Sequence, residues 1–178
     1  MQAPWRWLGA HLRRRWRAHA LNLLMLLGVF AGTHWWQTRH LPAGPLPDLA
    51  LELVTGERLT LAQWRARHPG RAVALHVWAH WCPICRLEED SISRLQADHP
   101  VLTVAMQSGP APQVAQVLQQ RRLPWTTAVD ERGEMALGLG VQAVPVLLVL
   151  DPQGRVAATS VGYTSELGMR LRLWWAGL

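Results

Sequence analysis

The chain has 178 residues, 49% apolar and 17% charged, a globular composition with room for one domain and a short extra segment. Its two cysteines are too few for a disulfide scaffold. The net charge of +6 lies at the N-terminal end, where Arg6, Arg13, Arg14, Arg15 and Arg17 meet no acid; from Gln37 onward 13 arginines and 12 acids nearly cancel, which argues against nucleic acid as a partner.

Ala20 to Trp36 carries no formal charge and is apolar apart from Asn22, Thr33 and His34. At about 1.5 Å per residue it makes roughly 26 Å of helix, near the short limit for crossing a bilayer. The preceding arginines put the N-terminus in the cytoplasm under the positive-inside rule. Trp5, Trp7 and Trp16 on one side, with Trp35 and Trp36 on the other, resemble an aromatic belt at each interface. These features predict a basic cytoplasmic tip over residues 1–19 and a transmembrane anchor over 20–37. Val29-Phe30-Ala31 also suits signal-peptide cleavage, so a cleaved leader stays open. Either arrangement delivers the rest to a disulfide-permissive compartment.

Pro42, Gly44, Pro45 and Pro47 mark residues 38–48 as an extended spacer, which leaves a folded domain over 49–178. Two short apolar runs around Thr55-Gly56-Glu57 predict a hairpin, and Ala62 to Arg67 a short helix stopped by Pro69-Gly70. Val73 to Trp78 reads as a buried strand, Pro83 to Ala97 as a helix, Val101 to Met106 as a strand and Pro112 to Arg122 as a helix. Thr126 to Val129 follows as a short strand and Glu134 to Leu139 as one or two helical turns. Val146 to Leu150 and Val156 to Val161 flank the turn Asp151-Pro152-Gln153-Gly154, and Ser165 caps a closing helix to Trp175. The order implies an α/β fold with a mixed central sheet covered by helices.

Cys82 and Cys85 sit three apart, where the apolar strand run gives way to a helix. At a helix N-terminus Cys82 meets unpaired backbone N–H groups that favour thiolate, which makes it the attacking thiol. Cys85 lies one turn deeper on the same face and can resolve a mixed disulfide on Cys82. A permanent staple explains the pair less well, since a loop this short gains little unfolded-state entropy. His76 and His80 leave a Cys₂His₂ zinc or copper site open, because residues 76 and 80 share one strand face. His76 is expected to be a satisfied core histidine, with a base as its alternative, and His80 a solvent-facing modulator of Cys82. Trp81 is expected as an exposed apolar wall, Trp78 as core, and Trp174 and Trp175 as packed on the sheet.

Residues 47 to 176 resemble the exported, membrane-anchored thioredoxin-like proteins of the TlpA/ResA/DsbE group. The resemblance rests on Trp78-Ala79-His80-Trp81-Cys82-Pro83-Ile84-Cys85-Arg86-Leu87-Glu88, on the loop Gly140-Val141-Gln142-Ala143-Val144-Pro145, and on the inserted segment Gln107 to Leu139. The Pro-Ile pair between the cysteines leans toward the group's copper-sensitivity branch. The resemblance implies a thioredoxin-like fold preceded by the hairpin and a transmembrane helix. It implies a thiol–disulfide oxidoreductase of the bacterial inner membrane, single-pass, with its catalytic domain in the periplasm. It assigns proton handling around Cys85 to Glu88; the rival for Glu88 is a solvated acidic stretch with Glu89 and Asp90. It predicts a cis bond before Pro145, with Trp81, Pro83, Val144 and Pro145 docking the substrate. No cofactor or metal is implied. The partners are protein disulfide substrates and a DsbD-like membrane electron donor. An oxidant and a copper- or zinc-binding metallochaperone remain as alternatives, the latter at odds with the two-residue cysteine spacing.

Overall fold

The computed structural model describes residues 5–178, with side chains in the first helix described at Trp16 and from Ala18 onward. The chain divides into two compact units after Arg39. The first contains helix α1 (Trp5–Thr38). Leu21, Leu23, Leu24, Leu26, Leu27 and Phe30 are all exposed on it, so its apolar residues point in every direction. The transmembrane expectation is not met on hydropathy: no helix among the described residues is long and apolar enough to cross a membrane. Asn22, Thr33 and His34 interrupt the run, and His19 adjoins it. The side chains of Trp5, Trp7, Arg6, Arg13, Arg14, Arg15 and Arg17, on which the interface and charge readings largely rest, lie outside the described residues.

The second unit opens with a surprise. Gly44–Pro45, inside the segment expected to be a spacer, forms strand β1. The hairpin follows as β2 (Ala50–Glu52) and β3 (Arg58–Thr60), paired Leu51 to Leu59, then helix α2 (Leu61–Ala66). Thr60 closes a capping box on α2: its hydroxyl accepts the Gln63 N–H at 3.2 Å, and the Gln63 side chain accepts the Thr60 N–H at 2.8 Å. Thr60→Ala is expected to cost about 1 kcal/mol, a fall of roughly 2–4 °C in melting temperature, read by thermal denaturation.

Next come β4 (Val73–Trp78), α3 (Pro83–Asp98), β5 (Val101–Met106), α4 (Ala111–Gln120), β6 (Thr127–Asp130) and α5 (Glu134–Gly138). Strands β7 (Val146–Leu150) and β8 (Arg155–Val161) and helix α6 (Glu166–Ala176) close the chain. The main sheet runs β1-β8-β7-β4-β5-β6, with β4, β5 and β6 parallel and the other pairs antiparallel. The mixed sheet is therefore as expected.

Side-chain alternation along β4 divides the core. Val73, Leu75 and Val77 join the hairpin, α2 and α5 in one apolar cluster; Ala74 and Trp78 join Cys82, Cys85, α3 and α6 in the other. Helix α6 buries Met169, Leu173 and Ala176, which step by four and three along one face. That stripe turns Trp174 and Trp175 outward, so the expectation that they pack on the sheet fails; both are exposed.

Glu166 staples α6 to α3: Arg94 Nε donates to it at 2.7 Å and Arg170 Nε at 2.9 Å. The hydrogen bonds from Arg94, then Arg170, hold its carboxyl below the ordinary value of 4.5. A depressed carboxyl stabilises the fold above its ordinary value and ceases to as pH falls through the lowered one. Stability is therefore expected to decline with acid below pH 4.5, and Glu166→Gln to flatten that decline in denaturant titrations.

Candidate functional site

The ends of β4, α3 and the loop before β7 converge on the cysteines. Pro83 occupies the first turn of α3, where its missing N–H costs nothing. Cys82 is the N-cap, and its Sγ accepts the Cys85 N–H at 3.1 Å. Cys82 and Cys85 are joined by a disulfide. The geometry therefore places Cys82 at the helix tip and Cys85 within the first turn, as the spacing predicts.

Across from them the Val144–Pro145 peptide bond is cis, and the Val144 carbonyl oxygen lies 3.5 Å from Cys82 Sγ. The loop reaches this position through Gly140, whose φ of 72° suits glycine. A Cβ there would also run into the carbonyl oxygen of His40. The Pro145 carbonyl accepts the Gly162 N–H at 2.8 Å, which ties the loop to the end of β8.

Cys82 is only 3% exposed and Cys85 2%. Trp81, Pro83 and Ile84 stand exposed beside Cys82, so the disulfide sits just under a rim of apolar side chains. The Trp81 indole N–H donates to the Gln107 carbonyl at 3.0 Å, which fixes the ring as a wall. Gln107 adopts φ 47°, a left-handed conformation unusual for a residue with a side chain. The sequence carries no sign of it beyond the neighbouring Gly109.

Glu88 is not in a solvated acidic stretch. It is 1% exposed, whereas Asp90 is exposed and Glu89 pairs with Arg121 at 2.7 Å. The Glu88 carboxyl is held at both oxygens: Oε1 accepts the Thr164 N–H at 2.5 Å, and Oε2 lies 3.2 Å from Nε2 of His76. His76 is fully buried, as expected, but only half satisfied, because its Nδ1 makes no hydrogen bond. The Trp125 ring meets His76 edge-on at 6.0 Å and Trp78 at 5.1 Å. Trp78 is core and Trp81 exposed, as expected.

His80 departs from its expected place. It is half-buried, and its Nδ1 is enclosed without a partner. Its N–H donates to Ser108 Oγ at 3.0 Å, and its carbonyl accepts from Arg121 at 2.9 Å. These bonds fix the turn before Cys82. The Cys₂His₂ alternative gains no support: His76 is directed at Glu88, and no group of three or more potential metal ligands occurs among the described residues.

The Redoxin family matches residues 42–169. A thioredoxin-like protein of Haemophilus influenzae is 30% identical over 103 residues, covering 57% of this chain and 61% of that one. A thiol:disulfide interchange protein DsbE homolog of Paracoccus denitrificans is 29% identical over 153 residues, covering 78% and 84%. Among solved structures, a secreted thiol-disulfide isomerase from Corynebacterium glutamicum superposes with a TM-score of 0.65 at 22% identity, covering 74% and 84%. That likeness establishes the thioredoxin-like fold.

Proposed function

The chain belongs to the redoxin family and is a thiol–disulfide oxidoreductase of its TlpA/ResA/DsbE group, and from that premise we propose that Cys82 and Cys85 carry the exchange, in the direction of reducing selected protein disulfides. The observation that carries this reading is Cys82 Sγ at the tip of α3, receiving the Cys85 N–H and lying opposite the Val144 carbonyl. The positive end of a 16-residue helix favours negative charge on that sulfur, as nucleophile and as leaving group.

Cys82 attacks one sulfur of a substrate disulfide, forms a mixed disulfide and releases the other sulfur as a thiolate. Cys85 then attacks Cys82, closing the internal disulfide and freeing the substrate. Trp81, Pro83, Val144 and Pro145 line the approach, with the loop backbone pairing to an extended substrate segment. Glu88 moves protons for the resolving thiol. Trp81→Ala is expected to raise KM for a protein disulfide roughly tenfold, the loss of one well-packed aromatic contact, with a smaller change in kcat. Steady-state kinetics on a folded disulfide substrate read the split.

The chain holds one thiol pair, so a reductant must be recharged from outside; a DsbD-like membrane donor fits that need. We place the protein at the bacterial inner membrane, held there by its N-terminal segment, with the catalytic unit in the periplasm. The charge-free run within α1 and the arginines before it support this. Alkaline carbonate extraction of membranes tests the anchor, and a mature N-terminus at Gly32 would replace it with a cleaved leader. Direction is tested by the equilibrium potential of the pair against glutathione; a value in the range of strong oxidants reverses it.

A further inference from the structure

Cys85 is almost fully enclosed, so a proton leaving its thiol has no direct path to water. Among the described residues, the buried carboxyl and imidazole groups are His76, Glu88 and Asp130. Asp130 is committed elsewhere: its oxygens accept the Met135 and Ala136 N–H groups at 3.1 and 2.8 Å and hold the start of α5. His76 and Glu88 are the pair left on the cysteine side of the sheet. Strand alternation points His76 the same way as Ala74 and Trp78, into the layer that holds both sulfurs. Glu88 is one helical turn from Cys85.

The hydrogen bonds fix which atom can carry the proton. Thr164 donates its N–H to Oε1 of Glu88, so Oε1 is an acceptor. Oε2 faces Nε2 of His76 and is the oxygen left to hold a proton. Opposite His76 in the sheet stand Thr103 and Leu147, and the Trp125 ring meets it edge-on, so Glu88 is its titratable partner among the described residues. A histidine that leaves Nδ1 buried and unmatched is costly in an apolar layer, and such a group calls for an explanation.

We propose that His76 is a positioning residue for the resolving step: by holding Oε2 it sets the Glu88 carboxylate to receive the proton of the Cys85 thiol. This rests on the thiol-exchange reading above. In the step, the Cys85 S–H proton passes to the Glu88 carboxylate, whose Oε2 keeps its hydrogen bond to His76 Nε2. The Cys85 sulfur forms a bond to Cys82 Sγ, the bond between Cys82 and the substrate sulfur breaks, and the substrate leaves as a thiolate that takes a proton from solvent. The cysteine pair loses two electrons and the substrate disulfide gains them.

The test uses the reduced full chain and one equivalent of dithiobis-nitrobenzoate. Attack by Cys82 releases one coloured thiolate and resolution by Cys85 a second, so the ratio of the two rates isolates the resolving step. His76→Leu and Glu88→Gln are expected to lower the second rate relative to the first at least tenfold. The double variant His76→Leu/Glu88→Leu, which leaves no charge in the apolar layer, separates folding from proton handling: it is expected to fold and to remain slow. His76→Gln keeps a donor toward Oε2 and is expected to recover most of the ratio. The proposal is overturned by a His76→Leu chain with an unchanged ratio, by a double variant that resolves at the wild-type rate, or by a folded His76→Gln as slow as His76→Leu. Release of a single equivalent by the wild type overturns the exchange reading itself.

Discussion

Replacing Cys85 with alanine is expected to convert the protein from a catalyst into a trap, with turnover down by at least about a thousandfold, the scale seen when one member of a catalytic unit is deleted. Cys82 keeps its position at the tip of α3, so its attack on a substrate disulfide proceeds. No second thiol remains in the chain to release the product. A covalent adduct therefore accumulates to one equivalent, visible on a non-reducing gel and cleared by dithiothreitol. Cys82→Ala is expected to lose turnover to the same degree and to form no adduct, because Cys85 lies inside the first turn of α3, behind the helix tip that Cys82 occupies. An adduct of equal yield on Cys85 would reverse the assigned order of the two sulfurs.

Glu88→Ala is expected to cost about 4 kcal/mol, since two buried polar groups lose their partner at about 1–3 kcal/mol each. The change strands the Thr164 N–H and His76 Nε2 in a dry layer together. At roughly 2–4 °C per kcal/mol for a domain of this size, the melting temperature falls by about 10 °C. Replacing both His76 and Glu88 by leucine removes the imidazole's demand and restores part of the loss, with the Thr164 N–H still left without its acceptor. A melting temperature for Glu88→Ala within about 2 °C of wild type would mean that the carboxyl is not held as described.

Much of this architecture was legible in the residues. The apolar runs of β4, β5 and β7 and the turn Asp151-Pro152-Gln153-Gly154 placed the central strands to within a residue, because fully buried strands leave short continuous hydrophobic stretches. The cysteine spacing and the Val144-Pro145 loop located the site. What stayed hidden depends on tertiary partners. Gly44–Pro45 looks like a linker, and only the open edge of β8 makes it a strand. The His76–Glu88 contact joins a strand to a helix twelve residues on, and no local pattern says which strand face looks at which helix. Arg121 reaches back to the His80 carbonyl across forty-one residues. The tryptophans at the end of α6 mislead because a large apolar side chain usually signals burial, yet Met169, Leu173 and Ala176 already fill that face.

The edge-on pair Trp78 and Trp125 shares its apolar layer with Cys82 and Cys85, and Trp81 immediately precedes the first sulfur. Disulfides quench indole emission by electron transfer at short range, whereas thiols do so weakly. The oxidation state of the protein is therefore written into its own fluorescence: emission brightens as the pair is reduced, and titration against a redox buffer needs no added dye.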